Sequence, residues 1–535
     1  VHNLFWKGEL LYLIYCYSFT KTIPMRKMLA ALTVLVMTAS CKKTVTTTAE
    51  ASIANPAPKQ IADINNYIRQ TLQQQGQFNW NHAPAEVVWS ALVANDYILS
   101  IGYKPSAETN IDDKIHTIDI RNAAWKAAKE RVLDIIYAEE YATNTALKRE
   151  TMEVWEENVL PVIDVVVKNY ATIVKLRASP LVRYAEPLGY DEKLDIPLTD
   201  SDSGCGSNTA DNGIIAGTHY TTIAPNAKAS WNYGIHGVQN AWTKTTGSGV
   251  KVFIIDTGIE YDQENVGTAF NQGYSTGRTI ERIVTLPRST FLGIPTGPVE
   301  TPDDACGHGT SMAGACAAPR GTDGNAVGVA YNCNLVTCRA AQDVFLDAAR
   351  EAKGVADAYT NAANRTDVKI ISMSMGRITS SSQVTDAINY ASGKGKLMFC
   401  AAGTSFGWAA GWYGVIFPAW LNNVQAVTGV KQNTNFNSCD VCHKGSEVDF
   451  VVAMERAGDN MHPLSLAMSG DVPSTVGGSS VATATMAGMA ALVWSRYPTL
   501  TRDQVIARLQ QNSSRYPTKS TEYGWGLLNV NNATN

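Results

Sequence analysis

No long run of charge of one sign occurs in the sequence, and no apolar run is long enough to cross a bilayer as a helix of the mature chain. Lys and Arg number 44 against 48 Asp and Glu, a net charge of -4 spread along the chain. That excludes a basic footprint for nucleic acid and a polybasic stripe for a membrane surface. Charged residues make up only 17% of the composition and hydrophobic residues 45%. A chain of 535 residues with that balance buries a large core and is neither disordered nor fibrous. Its length suggests about two to four domains.

The first residue is Val1, and residues 1–24 precede Met25, which reads as the natural start and leaves them as a mis-annotated upstream extension. Arg26-Lys27 then precede an apolar run, residues 29–37, with small Ala39-Ser40 before Cys41. This is the layout of a secretory signal peptide over residues 25–40. A cysteine directly after the small residues resembles the bacterial lipoprotein processing signal, although Thr38 stands where Leu or Val is commoner. The resemblance makes Cys41 a lipidation site and gives a membrane tether. The other reading is an ordinary cleaved signal and a secreted product.

Residues 41–58 are rich in Thr, Ala, Lys and Pro and read as a tether. Order is expected from residue 59. Asn122 can cap a helix in which Trp125, Ala128, Val132 and Ile136 recur at helical spacing, and Met152, Trp155, Val159, Ile163 and Val166 repeat the pattern. Residues 171–176 and 181–185 read as strands joined by a turn at Ser179-Pro180. Residues 59–195 therefore form a separate, smaller α+β domain, and residues 196–229 a Ser-, Asp- and Gly-rich linker leading into the next domain.

From residue 230 to 535 apolar strands alternate with helices. Residues 250–255, 335–340, 370–374 and 396–402 read as strands, and 344–363 and 383–392 as helices. The order βαβα implies an α/β domain with a mainly parallel sheet and helices on both faces. Ligands of such sheets bind at the carboxyl ends of the strands. Asp256 stands at one of those ends, after Val252-Phe253-Ile254-Ile255. His308 sits in Gly307-His308-Gly309-Thr310, a glycine turn opening a small-residue helix. Ser480 follows Gly477-Gly478-Ser479 and opens a run that is small or apolar on nearly every side, so the helix is expected to be buried all round. A hydroxyl on the first turn of such a helix lies among unpaired N–H groups that can receive developing negative charge. Asp256, His308 and Ser480 together supply orienting carboxylate, base and nucleophile.

Asp256-Thr257-Gly258, Gly307-His308-Gly309-Thr310 and Gly478-Ser479-Ser480-Val481-Ala482 resemble the three signature blocks of the subtilisin-like serine proteases, the subtilases. The resemblance covers residues 230–531. It implies a subtilisin-like fold, an Asp-His-Ser triad, polypeptide substrates and no cofactor for the chemistry. It also makes Ser374-Met375-Gly376 the substrate-binding strand, Phe417-Pro418-Ala419 a second pocket wall with Ile416 at the floor, and Tyr523-Gly524-Trp525-Gly526 part of the closing segment. No acidic residue is visible in that pocket, and Arg377, if it points inward, disfavours basic side chains further. An apolar residue before the cleaved bond is therefore expected. Residues 178–187 resemble the end of a subtilase propeptide, so the upstream domain is expected to be the chain's own folding partner and inhibitor, cut off by the enzyme itself between about residues 190 and 203. The order Asp, His, Ser and Ala482 in place of a glycine reject an α/β-hydrolase.

Several positions depart from the family. Ser479 stands for the usual Thr, Ala484 and Thr485 for Pro and His, and Thr404 for the Asn whose amide binds the oxyanion. Thr404 is the expected replacement donor. If it fails, the chain is a weak or inactive protein that keeps the fold for binding. Structural calcium comes with the resemblance too, with Asp323 and Asn325 as contributors. Eight cysteines remain beyond the leader, an even number suited to disulfides in an exported protein, with connectivity open. Cys439 and Cys442 lie in a Cys-x-x-Cys-His pattern that also marks haem attachment. A local disulfide is the reading adopted.

Overall fold

The computed structural model describes residues 53–191, 204–206, 208–404, 414–433, 436–439 and 442–535. The extension 1–24, the signal peptide, Cys41, residues 192–195 of the upstream domain and residues 196–203 of the linker lie outside the described residues.

The upstream region contains helices α1 (Ile61–Gln75) and α2 (Ala85–Ala94), strand β1 (Ile98–Tyr103), helix α3 (Ala123–Tyr141), strand β2 (Val162–Val166), helix α4 (Tyr170–Ala178) and strand β3 (Val182–Pro187). The strands form an antiparallel sheet in the order β2-β1-β3. α3 begins as its sequence indicates: the Asn122 side chain accepts from Ala124 N, and Trp125, Ala128, Val132 and Ile136 are buried.

Two expectations fail here. The second helical pattern, Met152 to Val166, is instead a turn followed by β2. Glu157 Oε1 accepts from Val159 N at 2.8 Å and Leu160 N at 2.9 Å, and Pro161 has no N–H to continue a helix. Residues 171–176 are helical rather than extended. The Glu140 carboxylate, carried by α3, accepts from Lys168 N, Asn169 N and the Thr172 hydroxyl at 3.0, 3.1 and 2.6 Å. A carboxylate from another helix thus holds the backbone leading into α4 and its Thr172 hydroxyl, while Asn55 Oδ1 accepts from Tyr170 N at 2.7 Å, which outweighs the strand preference of Ile173-Val174.

Downstream, the elements are β4 (Lys251–Asp256), β5 (Ile280–Val284), α5 (His308–Ala317), β6 (Asn334–Arg339), α6 (Ala349–Asn364), β7 (Val368–Met373), α7 (Ser382–Gly393), β8 (Leu397–Ala401), β9 (Gln425–Lys431), β10 (Val448–Glu455) and α8 (Gly478–Arg496). The seven strands run parallel in the order β10-β9-β8-β7-β4-β6-β5. Successive side chains of β4 feed opposite faces, as strand geometry requires. Val252 and Ile254 join the core with α5 and α8, while Phe253 and Ile255 join the one with α6, α7 and the upstream region. The expected helix 344–363 starts only at Ala349, because Glu351 accepts from Gln342 N and Ala348 N and closes a turn there. Val344 lies in a bend and Phe345 forms a parallel bridge with Gly376. Among the described residues no helix is long and apolar enough to cross a membrane.

Candidate active site

Asp256 ends β4 at the carboxyl edge of the sheet and is 1% exposed. His308 is the first residue of α5 and is 5% exposed. The two meet because α5 starts almost in contact with the turn after β4: a Cβ on Gly309 would lie 2.3 Å from the Gly258 carbonyl oxygen. His308 Nδ1 stands 2.7 Å from Asp256 Oδ1. That carboxyl oxygen also accepts from Thr257 N at 2.9 Å. Burial disfavours the imidazolium, but the Asp256 charge and hydrogen bond, with Asp304 and Asp343 nearby, outweigh it and hold the His308 pKa above its ordinary value.

A second carboxylate, Asp304, holds the start of α5 and is one that sequence reasoning missed. It is 0% exposed. Its Oδ1 accepts from Thr257 Oγ1, Cys306 N and Gly307 N at 2.7, 3.2 and 2.8 Å, and its Oδ2 from Thr310 N and Thr310 Oγ1 at 2.9 and 2.7 Å. Thr257 Oγ1 in turn accepts from Gly309 N at 2.9 Å. One carboxylate therefore ties the Asp256 turn to the His308 helix. An acidic residue four positions before a helix that opens on His was the available signal.

Ser480 lies in the first turn of α8, which is buried from Val481 to Trp494 as its composition indicates. Gly478 takes φ +78°, a conformation that favours glycine, and so turns the chain into the helix. Ser480 Oγ donates to Ser374 O at 3.2 Å, and Ser374 Oγ donates to Ser480 O at 2.9 Å. The nucleophile candidate is thus held against the segment after β7, with its hydroxyl on that carbonyl rather than on His308.

Thr404 follows β8 and reaches the start of the same helix. Its hydroxyl accepts from Ser479 N at 3.3 Å and lies 3.0 Å from Ser479 Oγ, which accepts from Gly403 N at 3.2 Å. Ile416 N donates to Ala402 O at 2.9 Å, and the Ile416 side chain lies against both Gly376 and Gly403. Gly376, Met375 and Ile416 are therefore neighbours, as the pocket reading requires. Arg377 corrects that reading. It is buried and turned away, donating to the carbonyls of Leu188, Leu346, Thr379 and Ser380.

Cys205 is bonded to Cys306 and Cys439 to Cys442, while Cys316, Cys333, Cys338 and Cys400 are buried thiols. The first bridge ties the linker to the loop before His308. The second engages both sulfurs that haem attachment would need. His443, next in that motif, is buried beside Gly403, and its pKa is pushed down to about 4 by burial. Around the expected calcium turn, Asp323 accepts from Asn325 N and Gln272 Nε2 at 2.9 and 2.6 Å, and Asn325 donates to Gly470 O at 3.0 Å. Glu264, Asp323 and Asp471 bring one carboxylate oxygen each within 4.8 Å of one another, while Lys228 Nζ donates to Gly324 O in the same turn. Oxygen ligands of this kind suit calcium, although the Asn325 amide oxygen already accepts from Ala326 N at 2.8 Å.

The subtilase family model matches residues 247–526, more than half of the chain. A thermostable alkaline protease of Halalkalibacterium halodurans is 33% identical over 232 residues, 43% of this chain and 58% of that protein. The chain thus spans little more than half the length of that relative. Thermitase of Thermoactinomyces vulgaris is 27% identical over 304 residues, 56% of this chain and 95% of thermitase. Subtilisin DY of Bacillus licheniformis is 28% identical over 287 residues, 53% of this chain and 90% of that protein. A parallel seven-stranded sheet, a buried Asp256–His308 pair at its carboxyl edge, a serine opening a buried helix and the extent of the family match lead to one conclusion: the chain belongs to the subtilase family of serine endopeptidases.

Proposed function

We propose that the chain is an exported endopeptidase in which Ser480, His308 and Asp256 act as a triad. Ser480 Oγ attacks the carbonyl carbon of a peptide bond and passes its proton to His308 Nε2. The intermediate collapses to an acyl-enzyme as His308 returns the proton to the leaving amine, and water then releases the acyl group by the same route. Asp256 keeps the proton of His308 on Nδ1, so that Nε2 is the acceptor. The 2.7 Å bond between His308 and Asp256 is the observation that carries this reading. The oxyanion is received by Ser480 N–H and by the Thr404 hydroxyl. If the Ser479 hydroxyl donates to Thr404 Oγ1, the Thr404 proton stays free for substrate. Ile416, between Gly376 and Gly403, favours an apolar residue before the cleaved bond.

The upstream region, in this reading, is a propeptide whose last residues, Leu188 to Tyr190, lie against Arg377 and the start of α6 until the linker is cut. Cys41 carries the lipid that tethers the uncut chain, and the upstream region after the cut, to the membrane, and a structural calcium on Glu264, Asp323 and Asp471 adds no step to the chemistry.

A second reading, a subtilase-fold binding protein, is favoured by the Ser480 hydroxyl resting on Ser374 O. Such catalytic hydrogen bonds commonly tighten only with substrate bound. A fluorophosphonate probe decides: covalent labelling of Ser480 is expected from the endopeptidase, and an unlabelled folded chain overturns it.

A further inference from the structure

Asn208 brackets His308 along the chain. It is buried and lies in the part of the linker that follows the expected cut. Its Nδ2 donates to Cys306 O at 3.3 Å, before the base, and its Oδ1 stands 3.1 Å from the Ser311 hydroxyl, after it. The Ser311 hydroxyl shares its one proton between that oxygen and Leu466 O, 2.9 Å away. Asn208 O accepts from Met468 N at 3.1 Å, and a Cβ on Gly307 would lie 3.0 Å from Asn208 Cβ. Asp304 already accepts from the N–H groups of Cys306 and Gly307. By donating to the Cys306 carbonyl, Asn208 holds the same turn from its other side.

The segment that carries Asn208 is fastened at both ends. Before it, Cys205 is bonded to Cys306 itself. After it, Asp211 N donates to Pro473 O at 2.8 Å, and Asp211 Oδ2 accepts from Thr475 Oγ1 at 2.7 Å, on the approach to Ser480. A few residues thus reach from the turn before the base to the segment before the nucleophile. In the uncut chain they are also held through the upstream region. Once the linker is cut they become an N-terminal arm, and such arms fray unless tied down. The bridge ties this one close to Asn208, so its hydrogen bonds re-form across a short loop rather than from a free end.

We infer that Asn208 is a positioning residue for His308 and that the Cys205–Cys306 bridge keeps it in place in the processed enzyme, so that the arm released by the cut remains part of the frame of the active site. The inference rests on the endopeptidase reading and on self-cleavage between about residues 190 and 203. Asn208 acts through the turn that aims the imidazole. Its loss displaces His308 from Ser480, a fault of the chemical step rather than of substrate binding.

The test uses the full chain, incubated until its own processing is complete, and an acetylated peptide anilide with an apolar residue before the bond. Cys205→Ser should make the first cut within about 3-fold of the parental rate, because the uncut chain still holds the segment at both ends. Its processed product should then show a kcat about 10-fold lower, with KM within about 2-fold. Asn208→Ala keeps the bridge and should slow both the first cut and the product's kcat by about that factor. Parental kcat in either folded variant, or a loss carried by KM, overturns the inference and leaves the endopeptidase intact. The parent supplies a measurement that needs no variant. An aminopeptidase added to its product should stop at or before Cys205, and trimming past Asp211 with kcat unchanged overturns the inference as well. A parent that neither cleaves nor takes the fluorophosphonate overturns both readings.

Discussion

Two sets of buried carboxylates differ in how they are satisfied. At the active site, Asp304 accepts five hydrogen bonds, three of them from backbone N–H groups at the start of α5. Between the upstream region and α7, Asp386 takes Arg183 at two points and the Tyr184 hydroxyl, but Asp164 and Glu186 are poorer in donors. Asp164 Oδ2 accepts from Gln383 at 3.1 Å while Oδ1 is buried without a partner, and Glu186 accepts from Ser382 N and Oγ at 2.5 and 3.0 Å. Burial pushes Asp164 up to about 7 against the pull of Lys353, and Glu186 up to about 7 against the Ser382 bonds, Arg377 and Arg177. A helix start surrounds a carboxylate with fixed donors; the face between two layers leaves Asp164 and Glu186 short of them and raises their pKa. The first arrangement suits a permanent frame and the second a surface that separates.

The largest effect tests the frame at its chemistry. Ser480→Ala should lower kcat by about 10⁶-fold, a magnitude taken from a subtilisin, and leave the chain full length when it is expressed without other proteases. Near-parental peptidase activity in a folded sample, or normal processing, contradicts the triad or the self-cleavage.

Thr404→Val keeps the side-chain shape and removes the donor. Loss of one oxyanion donor costs about 10²-fold in turnover, again a magnitude known from a subtilisin, with little change in KM. Parental turnover removes Thr404 from the oxyanion site.

Asp304→Ala leaves the N–H groups of residues 306, 307 and 310 without their acceptor. Because Asp304 positions His308 rather than touching substrate, kcat should fall about 10-fold with KM nearly unchanged, since small misplacements of reacting groups are costly. Asp304→Asn, which keeps one acceptor, should recover part of the loss. Equal loss in both variants, or a change confined to thermal stability, reduces Asp304 to a structural role.

Two pH dependences separate the regions. The raised His308 pKa means the neutral base appears only above its ordinary range, so kcat/KM should rise through an apparent pKa above 6.5 and plateau on the alkaline side. At the interface the signs run the other way for binding. Asp164 and Glu186 have higher pKa values docked than exposed, so docking takes up protons. Their contribution is full below the ordinary carboxylate range and is lost as pH rises through about 7. The cleaved upstream region should therefore dissociate more readily at pH 8 than at pH 5 in pull-down or calorimetry. Unchanged affinity across that range removes these two groups from the interface energetics.

Much of this was legible locally. Strand-end Asp256, the glycine turn before His308 and the small-residue run after Ser480 are short-range patterns of period and turn chemistry, and each lies where its pattern indicates. α3 with its Asn122 cap is of the same kind. Where the reading failed, the deciding partner lay elsewhere in the chain. Glu140 turned residues 170–178 into a helix from a neighbouring helix, and Glu157 with Pro161 broke the helical run after Met152.

Sequence alone determined the triad candidates, the parallel α/β order and the burial of α8, because these depend on residue types a few positions apart. Only the tertiary structure decided that Arg377 turns away from the pocket, that Thr404 meets Ser479, that Asp304 ties two loops together and that Phe345 bridges to Gly376. Those outcomes are backbone and side-chain hydrogen bonds between segments tens of residues apart. Which donor finds which acceptor is settled when the layers close and most buried polar groups take a partner.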